Sequence, residues 1–263
     1  MLHVSTPVES ESVSNTSDQR MAGIPRKLHY IWFGGSPKSA DMVALIDGWR
    51  KLMPECEVIE WNESNFDIGM HPWIKRMHEE GQYAFASDYA RFHILKEHGG
   101  VYLDTDVVMK KSIGPFLQER CFFSFEFDSF LSTCIIGAEP RHPLITALLA
   151  EYDKVDGPVI NNIIITDYFL AHFPEFRLNN HDQRIGEGVR VLPKEYFVIP
   201  SFDRRKNFAV HNANNHWKAK RKGRGIGRVV RGMIGKVLFF KLLNVYMNAN
   251  SEFQAKDRAR RRK

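Results

Sequence analysis

Cysteine is scarce: the 263 residues include only Cys56, Cys121 and Cys134. The number is odd and no Cys-x-x-Cys pair occurs, which argues against a disulfide framework or a structural zinc site and points to a reducing compartment. No apolar run follows a basic N-terminal start, so no signal peptide is expected. A run of about 18 apolar residues, the length a membrane-crossing helix needs, is also missing. No internal repeat is present. Acidic residues are rare at one end. From Lys218 to Lys263 fifteen Lys/Arg stand against Glu252 and Asp257 alone, a net +13, so the rest of the chain carries −7 of the overall +6. A mildly acidic body with a basic tail is unlike a nucleic-acid binder, whose basic surface belongs to the folded module. It fits a tail addressed to an anionic surface.

What is there reads as one α/β domain with appendages. Residues 1–22, rich in Ser, Thr and Glu, are expected to be a disordered leader, and Met21 is a second candidate start. Leu28 to Phe33 reads as a strand broken by Gly34-Gly35, and Ala40 to Leu52 as a helix. Glu57 to Trp61 is a second strand, and Trp73 to Glu80 a short helix. Phe85, Tyr89, Phe92 and Leu95 recur at helical spacing up to the stop at Gly99-Gly100. A strand, Val101-Tyr102-Leu103, then runs into Asp104. Strands are expected at Phe122–Phe127, Thr133–Gly137, Val189–Leu192 and Phe197–Ile199, and helices at Pro143–Tyr152 and Asn161–Phe173. Alternating strands and helices imply a mostly parallel central sheet, with ligands beyond the carboxyl ends of its strands. Asp104-Thr105-Asp106 stands at such an end.

Two carboxylates one residue apart after an apolar strand make a compact anionic site. In an extended segment both side chains point the same way. Hard oxygen ligands suit Mn²⁺ or Mg²⁺, which can bridge a diphosphate and stabilise its departure. A bare Asp-x-Asp is more often a solvated acidic turn, so the triplet alone is a weak signal.

The flanking residues narrow the choice. Ala86-Ser87-Asp88-Tyr89-Ala90-Arg91, followed by Leu95-Lys96-Glu97-His98-Gly99-Gly100-Val101-Tyr102-Leu103-Asp104-Thr105-Asp106, resembles the glycosyltransferase family with the sugar-binding DXD region. That family includes the fungal initiating α-1,6-mannosyltransferase and bacterial capsular-polysaccharide transferases, with the large clostridial glucosylating toxins as distant relatives. Ile24 to Gly35 resembles its first strand, and His211 to Trp217 more loosely its C-terminal His…Ser-Trp element. The resemblance implies a GT-A type nucleotide-sugar-binding catalytic domain over residues 23–217.

Each singled-out residue has two readings. Asp88 and Arg91, three apart on one helix face, form a surface ion pair or a polar pair aimed into the site. The resemblance implies that they contact the donor sugar. Trp32 is a core tryptophan on its strand, or by resemblance stacks on the nucleotide base, with Ile31, Gly34, Thr105 and Trp217 completing the donor site. Gly34 and Gly35 would let backbone approach the ligand. By resemblance Asp106 ligates the metal directly, and Asp104 contacts ribose, sugar or metal-bound water. Asp88, Arg91, Asp104 and Asp106 are thus the catalytic set. His211, Asn215 and His216 are candidate further ligands, although His216 stands where the family has Ser. Asn161 and Asn162 either cap a helix or face the site, and Glu126 and Asp128 either face the acceptor or are loop polarity.

The reaction implied is retaining transfer of a hexose from a nucleoside-diphosphate sugar, UDP-linked for preference. The acceptor would be a glycan or lipid-linked hydroxyl in surface polysaccharide synthesis, attacked from the front face. A metal-dependent sugar-phosphate or nucleotidyl transferase, a glycoside hydrolase, and a non-enzymatic membrane adaptor are the alternatives. From Ile226 to Val245 apolar residues recur at helical spacing among Arg228, Arg231, Lys236 and Lys241. Residues 218–263 therefore read as a basic amphipathic tail, with 218–245 lying on an anionic membrane surface, or as a C-terminal helix packed on the body. Arg258 to Lys263 is expected to be disordered. The protein is expected in the cytoplasm, peripheral on the inner face of the membrane, and deletion of 218–263 is expected to spare donor hydrolysis.

Overall fold

The computed structural model describes residues 23–212 and 235–262. The leader, Asn215, His216, Trp217 and the tail up to residue 234 lie outside the described residues. Nine strands are described: Lys27–Ile31 (β1), Glu57–Trp61 (β2), Gly100–Leu103 (β3), Val107–Met109 (β4), Cys121–Phe127 (β5), Phe130–Ala138 (β6), Gln183–Ile185 (β7), Val189–Leu192 (β8) and Ala209–His211 (β9). The helices are Ala40–Leu52 (α1), Pro72–Glu79 (α2), Tyr83–His98 (α3), Pro143–Ala150 (α4), Asn161–His172 (α5), Lys194–Phe197 (α6), Lys236–Ala249 (α7) and Glu252–Arg260 (α8).

Seven strands form the central sheet in the order β2-β1-β3-β6-β5-β8-β7. β2, β1, β3, β5 and β8 run in one direction, and β6 and β7 run against them. The mostly parallel α/β sheet expected from the sequence is therefore present. Alternate residues feed opposite faces. Tyr102, Phe123 and Phe125 join the cluster under α2 to α5, whereas Val101, Leu103 and Phe122 join the cluster with α1 and α6. Two strands, β4 and β9, pair apart from the sheet.

The Gly99-Gly100 turn between α3 and β3 is fixed by close approach. Gly99 has φ +59°, and a Cβ there would lie 2.6 Å from Pro140. Gly100 has φ +100°, with His29 2.7 Å from the place of a Cβ. His29 is buried, its Nε2 is 2.8 Å from the Gly99 carbonyl, and its Nδ1 accepts from the Trp61 indole at 3.1 Å. Burial pushes its pKa down to about 4, so it is a neutral strut of this turn.

Two local expectations fail. Phe197–Ile199 is not a strand, because Lys194 to Phe197 make a helical turn and the amides of Val198 and Ile199 both donate to the Lys194 carbonyl. Arg258 to Arg260 are helical rather than disordered. Arg260 donates to the carbonyls of Leu170, Phe173 and Phe176, and buried Asp257 accepts from the Leu178 amide at 3.2 Å. For residues 252–260 the packed-helix reading of the tail is the one realised. No helix among the described residues is long and apolar enough to cross a membrane.

Candidate active site

The acidic motif sits where β3 leaves the sheet. The Asp104 amide still donates to the Cys134 carbonyl of β6 at 2.8 Å, and the Val107 amide closes a turn onto the Asp104 carbonyl at 3.0 Å. Asp104 to Asp106 thus form a turn rather than the extended segment expected, and the two carboxylates converge through that turn. β4 then pairs with β9, register Val107↔His211, which lays His211 against the motif. His211 Nε2 lies 2.9 Å from Asp106 Oδ1 and 3.7 Å from Asp104 Oδ2. The Asn212 amide donates to the Asp106 carbonyl at 3.1 Å and tightens the same corner.

Ligand atoms of Asp104, Asp106 and His211 all lie within 4.8 Å of one another. Two carboxylates and an imidazole at that spacing fit a small divalent cation. Burial disfavours a charged His211, but the hydrogen bond to Asp106 and the nearby Glu126 and Asp104 carboxyls outweigh it and lift its pKa to about 9. The imidazole would therefore give up a proton on ligating a metal. His211 Nδ1 is buried and has no hydrogen-bond partner among the described residues.

Arg91 and Asp88 do pair, but largely buried rather than on the helix surface. They form an ion pair at 2.7 Å, and Arg91 also reaches Asp104 at 3.5 Å. Arg91 is 4 % exposed, donates to the Thr133 carbonyl at 3.1 Å, and stacks its guanidinium 4.5 Å above the Tyr102 ring. So placed, it is a fixed cation under the motif. Burial, opposed by Arg91 and seconded by Asp104, lifts Asp88 to about 6. Asn161 donates to the Asp88 carbonyl at 3.3 Å, and Asn162 to the Leu131 carbonyl at 2.6 Å. Neither caps α5, whose N-cap is Ile160.

Trp32 follows β1 as Asp104 follows β3, on adjacent parallel strands, so both stand at the carboxyl edge of the sheet. The Trp32 indole donates to the Ser36 carbonyl at 2.6 Å. Ile31 buries its side chain in the core. Gly34 has φ +89°, and a Cβ there would lie 2.3 Å from the Tyr83 ring. Thr105 is half-buried at the turn. Trp217, Asn215 and His216 fall outside the described residues.

Two participants were not assigned these roles from sequence. The Tyr102 hydroxyl donates to Asp104 at 2.9 Å; its position two residues earlier on the strand, hence on the same face, is a signal that could have found it. Glu126, read as acceptor-facing, has its carboxyl within 4.8 Å of Cys134 and His211 and accepts from the Ser132 hydroxyl. Burial pushes its pKa up. Asp128, the other acceptor candidate, is engaged elsewhere. It pairs with Lys194 and accepts from Asn244 at 2.8 Å and Asn248 at 3.2 Å of α7.

The family described as "Glycosyltransferase sugar-binding region containing DXD motif" matches residues 39–123, which hold the motif and α3. An uncharacterized glycosyltransferase of Acanthamoeba polyphaga mimivirus is 34% identical over 176 residues, 60% of this chain and 67% of that protein. The mannosyl phosphorylinositol ceramide synthase of Saccharomyces cerevisiae is 31% identical over 169 residues, 57% of this chain. The match spans only 42% of that yeast protein. Among solved structures the PaToxG glycosyltransferase superposes with a TM-score of 0.51 at 18% identity, covering 58% of this chain and 71% of that one, which speaks for the fold alone. The fold is of the GT-A type. With the motif at a strand's carboxyl end, Arg91 beneath it and a viral relative matched over two thirds of its length, the chain belongs to the glycosyltransferase family that carries the sugar-binding DXD region.

Proposed function

We propose that the protein transfers a hexose, with retention, from a UDP-sugar to a hydroxyl of a glycan or lipid-linked acceptor in surface polysaccharide synthesis. The observation that carries this reading is the convergence of Asp104, Asp106 and His211 within 4.8 Å, over a buried Arg91 that reaches Asp104. Asp104, Asp106 and His211 would hold Mn²⁺ or Mg²⁺, with His216 a further candidate. When bound, the ion supplies Lewis-acid stabilisation of the diphosphate leaving group. Arg91 keeps Asp88 and Asp104 in place and sets a positive field under the diphosphate. Asp88 accepts from donor-sugar hydroxyls, and Trp32, with Trp217, covers the nucleotide. The acceptor oxygen attacks the anomeric carbon from the face the diphosphate leaves. The carbon–oxygen bond to phosphate breaks, and the hydroxyl proton passes to the departing phosphate oxygen. That route asks for positioning and electrostatics rather than a side-chain nucleophile; of the two side chains that could be tested as one, Asp128 is held by Lys194 and α7, and Asn162 donates to the Leu131 carbonyl.

The mannosyl transfer named for the yeast relative supports a hexose and a lipid acceptor. Attachment to an anionic membrane surface through residues 218–245 is supported by the net +13 of residues 218–263 and by the outward apolar face of α7. The test is Asp106→Ala in the full chain, assayed for UDP release from UDP-hexoses with Mn²⁺. We expect Mn²⁺-stimulated turnover to fall by about a hundredfold or more with the fold intact. A variant that keeps its Mn²⁺-stimulated rate overturns the proposal.

A further inference from the structure

α7 carries apolar residues on both of its sides, with Phe240 packed on the core. Asn244 and Asn248, one turn apart, point into the body, where both donate to Asp128. Leu238, Leu242, Val245 and Tyr246 face outward, 43, 57, 66 and 65% exposed. A helix that only packs on a protein body keeps its outer face polar. A contiguous apolar face left in water marks an interaction surface.

Between α7 and residues 193–206 runs a groove of about 740 Å³, within the usual size of a small-ligand site. Its apolar wall includes Ile199, Phe202, Val237 and Val245, and its rim carries Lys206 and Lys241. Phe202 is 72% exposed, with the Lys241 ammonium 5.0 Å from its ring centre. The acids of the groove are already committed, Asp182 to Arg190 at 2.6 Å and Glu195 to Lys194 at 3.4 Å. Lys194 is itself engaged by Asp128. Lys206 and Lys241 make no ion pair among the described residues, although Asp203 lies near Lys206 and the one Lys194 is shared by two acids. One end of the groove adjoins the catalytic corner. The Val198 carbonyl, beside lining residue Ile199, receives the His211 amide at 2.9 Å.

We propose that this groove binds an anionic phospholipid as the acceptor, with its phosphate between Lys206 and Lys241 and an acyl chain along Ile199, Phe202, Val237 and Val245. The outer face of α7 then lies in the membrane interface beside it. Two cations over an apolar wall match an amphiphile, whereas a sugar phosphate would leave the wall unused. The inference rests on the reading of the chain as a transferase with a lipid acceptor.

The probes are dihexanoyl-phosphatidylglycerol as a soluble monomer, dihexanoyl-phosphatidylcholine, and glycerol 3-phosphate, titrated calorimetrically into the full chain. Saturable binding is expected for the anionic lipid alone. Lys206→Glu, on an exposed loop, should weaken it tenfold or more, and Val237→Trp, which fills the groove, should abolish it; circular dichroism checks that both variants fold. Glycerol 3-phosphate binding as tightly as the lipid would mean a phosphate site only and overturn the proposal. Lipid affinity unchanged in both variants would overturn it too. So would a dimer that Val245→Glu splits, in a protein that ignores the lipid, since a second copy would then cover the face. UDP-sugar turnover without lipid binding overturns the groove and spares the transferase reading. Saturable lipid binding by a protein that turns over no nucleotide sugar supports the groove and sinks that reading.

Discussion

Asp128→Ala tests what holds the C-terminal helices to the body. The Asp128 carboxylate pairs with Lys194, whose side chain is 7% exposed, and accepts from Asn244 and Asn248. Breaking a buried ion pair by removing one partner costs about 3–5 kcal/mol, because the other charge stays buried. Two features lower that figure. Asp128 is itself 30% exposed, and Glu195 remains 3.4 Å from Lys194. The main-chain bonds of the knot also survive, the Asp128 amide to Asn244 at 2.9 Å and Gln254 to the Asp128 carbonyl at 2.7 Å. About 2–3 kcal/mol is therefore expected. Urea unfolding should show the midpoint lowered at an unchanged slope. Hydrogen exchange should show amides of α7 opening before those of the central sheet. Asp128→Asn, which keeps a carbonyl for the two asparagines, should cost about half as much. A loss under about 1 kcal/mol, or α7 amides as protected as in the wild type, would refute the view that this carboxylate pins the helix.

Two further outcomes are expected. A carboxyl raised to about 6 from 3.8 favours the folded state while protonated, so the stability Asp88 contributes is full below the unfolded value and is lost as pH rises through 6. Wild type should lose roughly 2 kcal/mol of stability relative to Asp88→Asn between about pH 4 and pH 7, and parallel melting curves across that range would count against the assignment. Tyr102→Phe removes the hydroxyl that holds Asp104 at 2.9 Å and leaves the ring under Arg91. It should lower kcat about tenfold at a nearly unchanged melting temperature, and a wild-type kcat would show that the hydroxyl does not position Asp104.

What the sequence made legible was local. Helix α3 and the strand into Asp104 follow from apolar spacing and the glycine stop, and the carboxyl-edge position of the motif follows from strand–helix alternation. The partners that arrive from far along the chain were less so. His211 was named as a candidate through the resemblance, but its approach to Asp106 depends on the β4–β9 ladder, a pairing of two three-residue strands about a hundred positions apart that no short-range pattern announces. Glu126 illustrates the same limit from the other side. It lies on β5 in a run of aromatics, and only the hairpin with β6 reveals that its carboxyl points toward Cys134 and His211. Phe197–Ile199 has the composition of a strand, yet it follows Pro193, and the Val198 amide closes a helical turn onto Lys194 instead of a ladder.

The tail shows why charge runs mislead. Arg258 to Lys263 reads as a solvated polybasic end, but Arg260 lies three residues after Asp257, one helical turn, and its guanidinium is turned inward onto carbonyls near the C-terminus of α5 and just beyond it. The Leu170 carbonyl lies in the last turn of α5, where helix carbonyls lack intrahelical partners, and a cation there also complements the helix dipole. The charge that looked like a membrane address is at this point a capping group. Deleting residues 218–263 would therefore strip Asp257 from the Leu178 amide, Arg260 from three carbonyls and Phe253 from the core, as well as removing α7. A fall in donor hydrolysis after such a deletion would report the lost packing. Leu242→Ser changes only the outward face, because that side chain is 57% exposed and its helix keeps Asn244 and Asn248 on Asp128. The proposed membrane attachment can be tested apart from folding at that face of α7, whereas Asp257 and Arg260 of α8 serve the packing.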